Sequence, residues 1–305
     1  MHSAVVDKDP RRRDVLWLVG GALFAWQSAA QSRGELRILL AGETPQHATL
    51  VRAIRERWPK VAEYTDPLAA RAARPARPAP IAYLAIGPRA LQAALPLPLD
   101  APLISTLVSR QAYGQLVDQV APQAAVTAIF AEPSPAQQMR TIAAVLRKRA
   151  TVGALVSEQS RYIEPLLRKA ASDMGLSLLA ETHDPSIGLS RNLLRLVTAE
   201  AVLIFPDNSI YTPESLRELL ESTYRRRQPV FGFSEALVNA GTLASAFSNA
   251  DDVAAHLADL LGAISDGRVP APQYPRFWRV AINDSVARSL DIVIDGSARS
   301  LGDRP

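Results

Sequence analysis

Short uninterrupted apolar runs alternate along the chain with longer stretches in which apolar positions recur every three or four residues. The runs "GALV" (153–156), "VLIF" (202–205) and "PVFGF" (229–233) contain no polar alternation, the pattern of strands buried on both faces of a parallel sheet. Between the first two, Ile163, Leu166, Leu167, Ala170, Ala171 and Met174 make one helical stripe, and Gly175 supplies its stop. Leu216, Leu219, Leu220 and Tyr224 make a second stripe, begun by Thr212 as N-cap and Pro213 at the first helical position. Strand and helix in alternation predict an α/β fold built on parallel sheets.

The pattern occurs twice. "AEYTDP" (62–67) returns as "AETHDP" (180–185). Upstream, "RILLAGE" (37–43) has its counterpart in "VGALVSE" (152–158), each followed by a helix-period stretch. Downstream, "IAYLAIGPRALQAAL" (81–95) matches "AVLIFPDNSIYTPESLREL" (201–219), and "PLIST" (102–106) matches "PVFGFS" (229–234). Four strand-like runs in the same order at similar spacing predict two Rossmann-like, doubly wound lobes joined by a hinge. The N-terminal lobe is expected over 33–130 with part of 235–267, the C-terminal lobe over 131–234 and 272–292, and 293–305 as a frayed tail. The lobes are expected to differ at "LAARAARPARPAP" (68–80), where prolines leave only a short helix and an extended connector, whereas its partner 186–200 reads as a full amphipathic helix. Ser134 and Pro135 predict the start of a helix on the way into the second lobe.

The N-terminus changes the picture. Arg11 to Arg13 precede a twelve-residue apolar run from Val15 to Trp26 and the small residues Ser28 and Ala30, so 1–30 reads as an export signal of the general or twin-arginine type. A bilayer span needs about 20 apolar residues, so the run is short for a membrane anchor. The mature chain is therefore expected in the periplasm without stable membrane insertion. Composition excludes other classes: with 48% hydrophobic and 21% charged residues the chain is a globular type, and a net charge of +4 from 34 basic and 30 acidic side chains gives no nucleic-acid stripe. The chain has no cysteine, and its 4 histidines are scattered, so neither a metal site nor any other cofactor is expected.

Ligands of open α/β sheets sit at the carboxyl ends of the strands. That rule selects Gly42, Glu43, Gly87 and Thr106 in the first lobe, and Ser157, Glu158, Asp207, Asn208, Ser209, Ser234 and Glu235 in the second, with Tyr113 or Tyr211 available for stacking. Each of these small polar residues is also an ordinary turn former or helix cap; their repetition at matching places in both lobes favours a cleft.

The stretch from "PDNSIYTPESLRELLESTYRRRQPVFGFSEALVNAGTLASAF" through "VAINDSVARSLDI" resembles the substrate-binding proteins of ABC transporters with the type I periplasmic-binding-protein fold, in the branch with tryptophan- and tyrosine-binding-like members. The resemblance implies that Ser157, Asp207, Asn208, Ser234 and Glu235 face a ligand and that Glu132, Pro133 and Gly241 serve the hinge. It further implies a non-enzymatic protein that captures a small polar solute, such as an amino acid or a related amine or aromatic, for an ABC-type permease. Two alternatives remain. One is a periplasmic sensing module for a receptor or signalling partner. The other is a serine hydrolase using Ser234 in "GFSEA", with His256 and Asp251 or Asp252 downstream.

Overall fold

The computed structural model describes residues 34–42, 44–66, 80–120 and 122–305. The expected export signal, Glu43 and nearly all of the proline-interrupted connector 68–80 lie outside the described residues.

The first sheet is built from β1 (Leu36–Leu39), β2 (Val61–Tyr64), β3 (Ala82–Ile86), β4 (Leu103–Val108) and β5 (Val126–Phe130), all parallel, in the order β2-β1-β3-β4-β5. Its helices are α1 (Pro45–Arg57), α2 (Pro88–Ala94) and α3 (Arg110–Gln119). After α4 (Pro135–Leu146), the second sheet begins with β6 (Thr151–Val156), β7 (Ser177–Thr182), β8 (Ala201–Leu203), β9 (Val230–Gly232) and β10 (Ala244–Phe247). These five take the order β7-β6-β8-β9-β10, again parallel, so the internal duplication seen in the residues recurs as one strand permutation used twice. Helices α5 (Glu164–Asp173), α6 (Gly188–Leu194), α7 (Pro213–Arg225) and α8 (Glu235–Ala240) connect them. Beyond β10 come α9 (Ala250–Ser265), β11 (Trp278–Ile282), α10 (Asp284–Ser289), α11 (Gly296–Arg299) and β12 (Gly302–Asp303). Strands β11 and β12 join the second sheet antiparallel, an addition that the parallel expectation did not contain.

Each sheet is covered on both faces. On the first, Leu36, Ile38, Leu84, Ile104 and Ile129 pack against α1 and α9, while the opposite face meets Leu91 of α2 and Tyr113 of α3. On the second, Val152, Ala154 and Leu203 pack with Met139 and Ile142 of α4 and Leu167 of α5, and the other face packs with α6, α7 and Leu237 of α8. Burial on both sides explains the unbroken apolar strands.

The chain crosses between the sheets three times, at 131–134, 248–249 and 266–277. The first and second crossings end in capping boxes. Ser134 accepts the Gln137 amide at 3.2 Å while the Gln137 side chain takes the Ser134 amide, and Asn249 and Asp252 do the same for α9. Such a cap contributes about 1 kcal/mol. In the third crossing Gln273 pairs beside β5, with its amide donating to the Ala128 carbonyl at 2.9 Å and its carbonyl accepting the Phe130 amide at 2.9 Å. A bidentate pair ties the crossings together: Arg279 on β11 donates to both oxygens of the buried Asp252 at 2.8 and 2.9 Å. Residues Gly34–Pro305 form one compact unit.

Three local expectations change. The stretch 186–200 is not one long helix: a 3-10 turn at Pro185–Ile187 gives way at Gly188 (φ 74°) to the seven-residue α6. The chain then turns because Leu196 and Ala199 must press onto β6, where a Cβ on Gly153 would come within 2.9 Å of the Ala199 Cβ. Tyr224 falls off its predicted stripe and is half exposed, and the buried Thr223 takes the core-facing place. Finally, 293–305 is not a frayed tail, since Ala298 is fully buried and β12 pairs with β11. The Trp278 indole N–H donates to Asp303 at 2.8 Å, and Gly302 (φ 130°) lies so close to the Trp278 carbonyl that a Cβ there would sit 2.2 Å from its oxygen.

Candidate functional site

The carboxyl ends of β4, β5, β8 and β9, the first turns of α1, α8 and α9, and the second crossing border a cleft of about 790 Å³. The first lobe contributes Gln46, Thr49 and Leu50 from α1, Leu107 near the end of β4 and Ser109 after it, and Ala131 and Glu132 after β5. The second lobe contributes Asp207, Asn208 and Tyr211 after β8, Leu216 of α7, and Phe233, Ser234, Glu235 and Ala236 after β9. Phe247 at the end of β10, Ser248 and Asn249 of the second crossing and Val253 of α9 also border it.

Four of the eleven sequence-selected ligand residues border this cleft: Asp207, Asn208, Ser234 and Glu235. Ser234 is the N-cap of α8, its Oγ accepting the Leu237 amide at 3.3 Å, and Glu235 is exposed in the first turn of that helix. Asp207 is 1% exposed and is the acceptor of a serine cluster. Its Oδ2 accepts Ser157 Oγ at 2.7 Å, and its Oδ1 accepts both the amide (3.0 Å) and the hydroxyl (2.6 Å) of Ser209. Burial pushes this carboxyl up, but the hydrogen bonds from Ser160, Ser209 and Ser157 outweigh burial and hold it below the usual carboxylate range. The "PDNS" sequence after β8 is thus one knot in which Ser157 and Ser209 hold Asp207 at the edge of the cleft.

The remaining selected residues that the structure describes stand elsewhere, and Glu43 lies outside the described residues. Gly42 is exposed, and its carbonyl lies 3.2 Å from His47 Nδ1. Gly87 is the N-cap of α2 at φ 86°, beside the His47 ring. Ser157 is buried behind Asp207, Glu158 is exposed in the turn after β6, and Ser209 supports Asp207 without bordering the cleft. Thr106 is 2% exposed because β4 carries a register shift between Thr106 and Val108. That bulge puts Leu107 at φ 55°, a backbone region uncommon for a branched side chain, and carries Leu107 and Ser109 to the cleft in place of Thr106. Tyr113 packs edge-on against Phe130 in the core, so of the two candidate stacking rings only Tyr211 borders the cleft.

Of the expected hinge residues, Glu132 and Pro133 lie in the first crossing. Gly241 does not lie in a crossing. It ends α8 at φ 123°, inside the second lobe, where the chain turns into β10.

Glu132 has a larger part than its expected hinge role. It is 3% exposed, its Oε1 accepts the Arg110 amide at 2.9 Å, and its Oε2 has no hydrogen-bond partner among the described residues. Burial raises its pKa to about 7 against the pull of the Arg110 amide and guanidinium. The Arg110 guanidinium donates to the Tyr274 hydroxyl at 3.2 Å and lies over the rings of Tyr274 and of Tyr162, 5.7 and 5.2 Å from their centroids. Arg110 belongs to the first lobe and Tyr162 to the second, so this cation–π contact spans the two.

The hydrolase alternative finds no support in the geometry. The Ser234 hydroxyl is occupied in capping α8, whereas His256 is buried on α9 with Nδ1 accepting the Arg276 amide at 3.2 Å. No hydrogen bond joins Ser234 to a histidine among the described residues. Among the same residues no cluster of three or more histidine, aspartate or glutamate side chains has the arrangement of a metal site, and no helix is long and apolar enough to cross a membrane.

Two facing lobes of one strand permutation, three crossings and a cleft at the strand ends define the type I periplasmic-binding-protein fold. Solved structures agree. A ligand-free, open substrate-binding protein with adhesive properties from Clostridium difficile superposes with a TM-score of 0.65 at 16% identity, over 89% of this chain and 100% of the other. An ABC domain in complex with L-Trp from Streptococcus pneumonia gives a TM-score of 0.55 at 18% identity, over 88% and 99%. A conserved domain protein from Vibrio cholerae matches equally, with a TM-score of 0.55 at 18% identity over 88% and 99%. No protein-family model and no curated protein matches the chain.

Proposed function

We propose that this protein captures a small polar solute in the interlobe cleft and carries it, outside the cytoplasm, to an ABC-type permease. The observation that carries this reading is the cleft itself, bordered by polar groups of both lobes and aromatic rings of the second, around crossings on which the lobes can swing. A solute touching Gln46 or Ser109 on one side and Asn208 or Ser234 on the other favours the closed arrangement over the open one, and that difference is what a membrane partner reads. The structural neighbours support the class, since one is a substrate-binding protein and another holds L-Trp. An amino acid or a related amine or aromatic is the solute class that the acidic cleft and Tyr211 suit.

The test is a thermal-shift screen of the purified protein against amino acids, nucleobases, amines, sugars and organic acids. A solute that binds only the native state stabilises it by about 2.7 kcal/mol at a hundredfold excess over Kd. One class of hit is expected, together with loss of cellular uptake of that solute when the gene is deleted. Silence across all classes would remove the capture reading. Uptake that survives deletion while binding persists would favour a sensing role instead.

A further inference from the structure

The charged side chains that border the cleft are all acidic: Glu132, Asp207 and Glu235, with no lysine, arginine or histidine among the described lining residues. They are not equivalent. Both oxygens of Asp207 are engaged by Ser157 and Ser209, and Glu235 stands in solvent at the start of a helix, where its charge suits the macrodipole. Glu132 alone combines near-complete burial with an unpartnered oxygen, its buried Oε2, in a side chain that borders the cleft. A buried carboxylate oxygen left unpaired costs free energy unless a donor arrives. The nearest cation does not meet that need through a hydrogen bond, because the Arg110 guanidinium is directed to Tyr274 and sandwiched with Tyr162. The apolar part of the cleft lining includes Leu107, Phe233 and Phe247.

We propose that Glu132 Oε2 anchors the ammonium group of a primary amine whose aromatic or aliphatic body lies on Leu107, Phe233 and Phe247. This deepens the solute-capture reading and rests on it. A carboxylate on the same ligand would meet no cationic side chain along the lining, so an amine without one ranks above the corresponding zwitterionic amino acid. The groups facing Glu132 are Arg110 from α3, Tyr162 from the turn before α5 and Tyr274 from the third crossing, and Asp207 after β8 acts in turn on Tyr162. With its pKa raised to about 7, Glu132 must lose its proton to pair with an ammonium. Binding therefore releases a proton and weakens as pH falls through that value, about tenfold between pH 8 and pH 6.

Calorimetric titration of the full-length protein with phenethylamine, phenylalanine and 3-phenylpropionate at pH 6, 7 and 8 tests this. Phenethylamine is expected to bind tightest, to bind about tenfold more weakly at pH 6 than at pH 8, and to release close to one proton at pH 6. Glu132→Gln, which keeps the acceptor for the Arg110 amide, is expected to lose amine binding by thirtyfold or more at pH 8 and to abolish the pH dependence. Glu132→Asp, with the charge kept but drawn back, is expected to retain part of both, so a misfolded Gln variant does not close the question. Preference for phenylalanine or phenylpropionate, amine binding unchanged in Glu132→Gln, or a flat pH profile would each overturn the proposal. If phenethylamine fails while a sugar or acid binds in the wider screen, the anchor is wrong and solute capture stands. If nothing binds, both fall.

Discussion

In the empty protein, the same unpaired oxygen should weaken the fold in a pH-dependent way. Glu132 sits 3% exposed with its pKa raised from 4.5 to about 7, chiefly by burial. Between those two values the native state holds a proton that the unfolded chain has already lost, so stability falls as pH rises through this window and levels off above it. At about 1.4 kcal/mol per pKa unit, the destabilisation from ionised Glu132 approaches ~3 kcal/mol by pH 8. Glu132→Gln removes the titration and keeps the Oε1 acceptor for the Arg110 amide, though its new amide group adds a fixed cost of its own. The informative quantity is therefore the change with pH in the difference between variant and wild type. Urea unfolding without ligand at pH 5 and pH 8 measures it, and the variant is expected to gain about 2.5 kcal/mol on the wild type between the two, since part of the effect is already present at pH 5. A constant difference across that range, or one that moves in favour of the wild type, would refute the claim that Glu132 is buried unpaired.

Two further outcomes follow from the same structure. Asp207→Ala leaves the Ser157 and Ser209 hydroxyls without their acceptor, so it is expected to destabilise by roughly 3 kcal/mol in denaturant titration. Because the folded pKa of Asp207 is depressed, the wild-type advantage over this variant should persist above pH 4 and vanish only as pH falls through that lowered value. Gly302→Ala places a methyl group against the Trp278 carbonyl and should detach β12. Faster amide exchange at 302–303, a shifted Trp278 emission and easier C-terminal proteolysis are expected, with little change in the main unfolding transition.

Much of the fold was legible because its causes are local. Apolar runs without alternation mark strands covered twice, and the Ser134-Pro135 and Thr212-Pro213 pairs open their helices where the capping chemistry requires. The duplicated order of runs corresponds to the duplicated strand permutation. What escaped depends on distant partners. Pairing of 302–303 with β11 rests on a backbone approach that only Gly302 permits and on an indole 25 residues away. The early end of α6 comes from the close fit of Ala199 onto Gly153, which no periodicity reveals. In the candidate site, strand ends gave Asp207, Asn208, Ser234 and Glu235, because after β8 and β9 the chain leaves the sheet directly into the cleft. Thr106 was displaced by the bulge at Leu107. Phe247, Ser248 and Asn249 went unremarked because a crossing looks like any other loop until both sheets exist. Glu132 was placed at the hinge, and the one signal of more was an acidic residue two positions past a mostly apolar strand.

The interleaving of the two halves bears on how the molecule is made. One face of the first sheet, with Leu36, Ile38, Leu84 and Ile104, is covered jointly by α1 and by α9, and α9 (residues 250–265) comes in the chain only after all five parallel strands of the second sheet. Until residues 250–265 have been made, α1 alone lies on that face and the remainder of it stays apolar and open. Synthesis of α9, more than emergence of residues 34–130, sets the moment at which the first lobe completes its core.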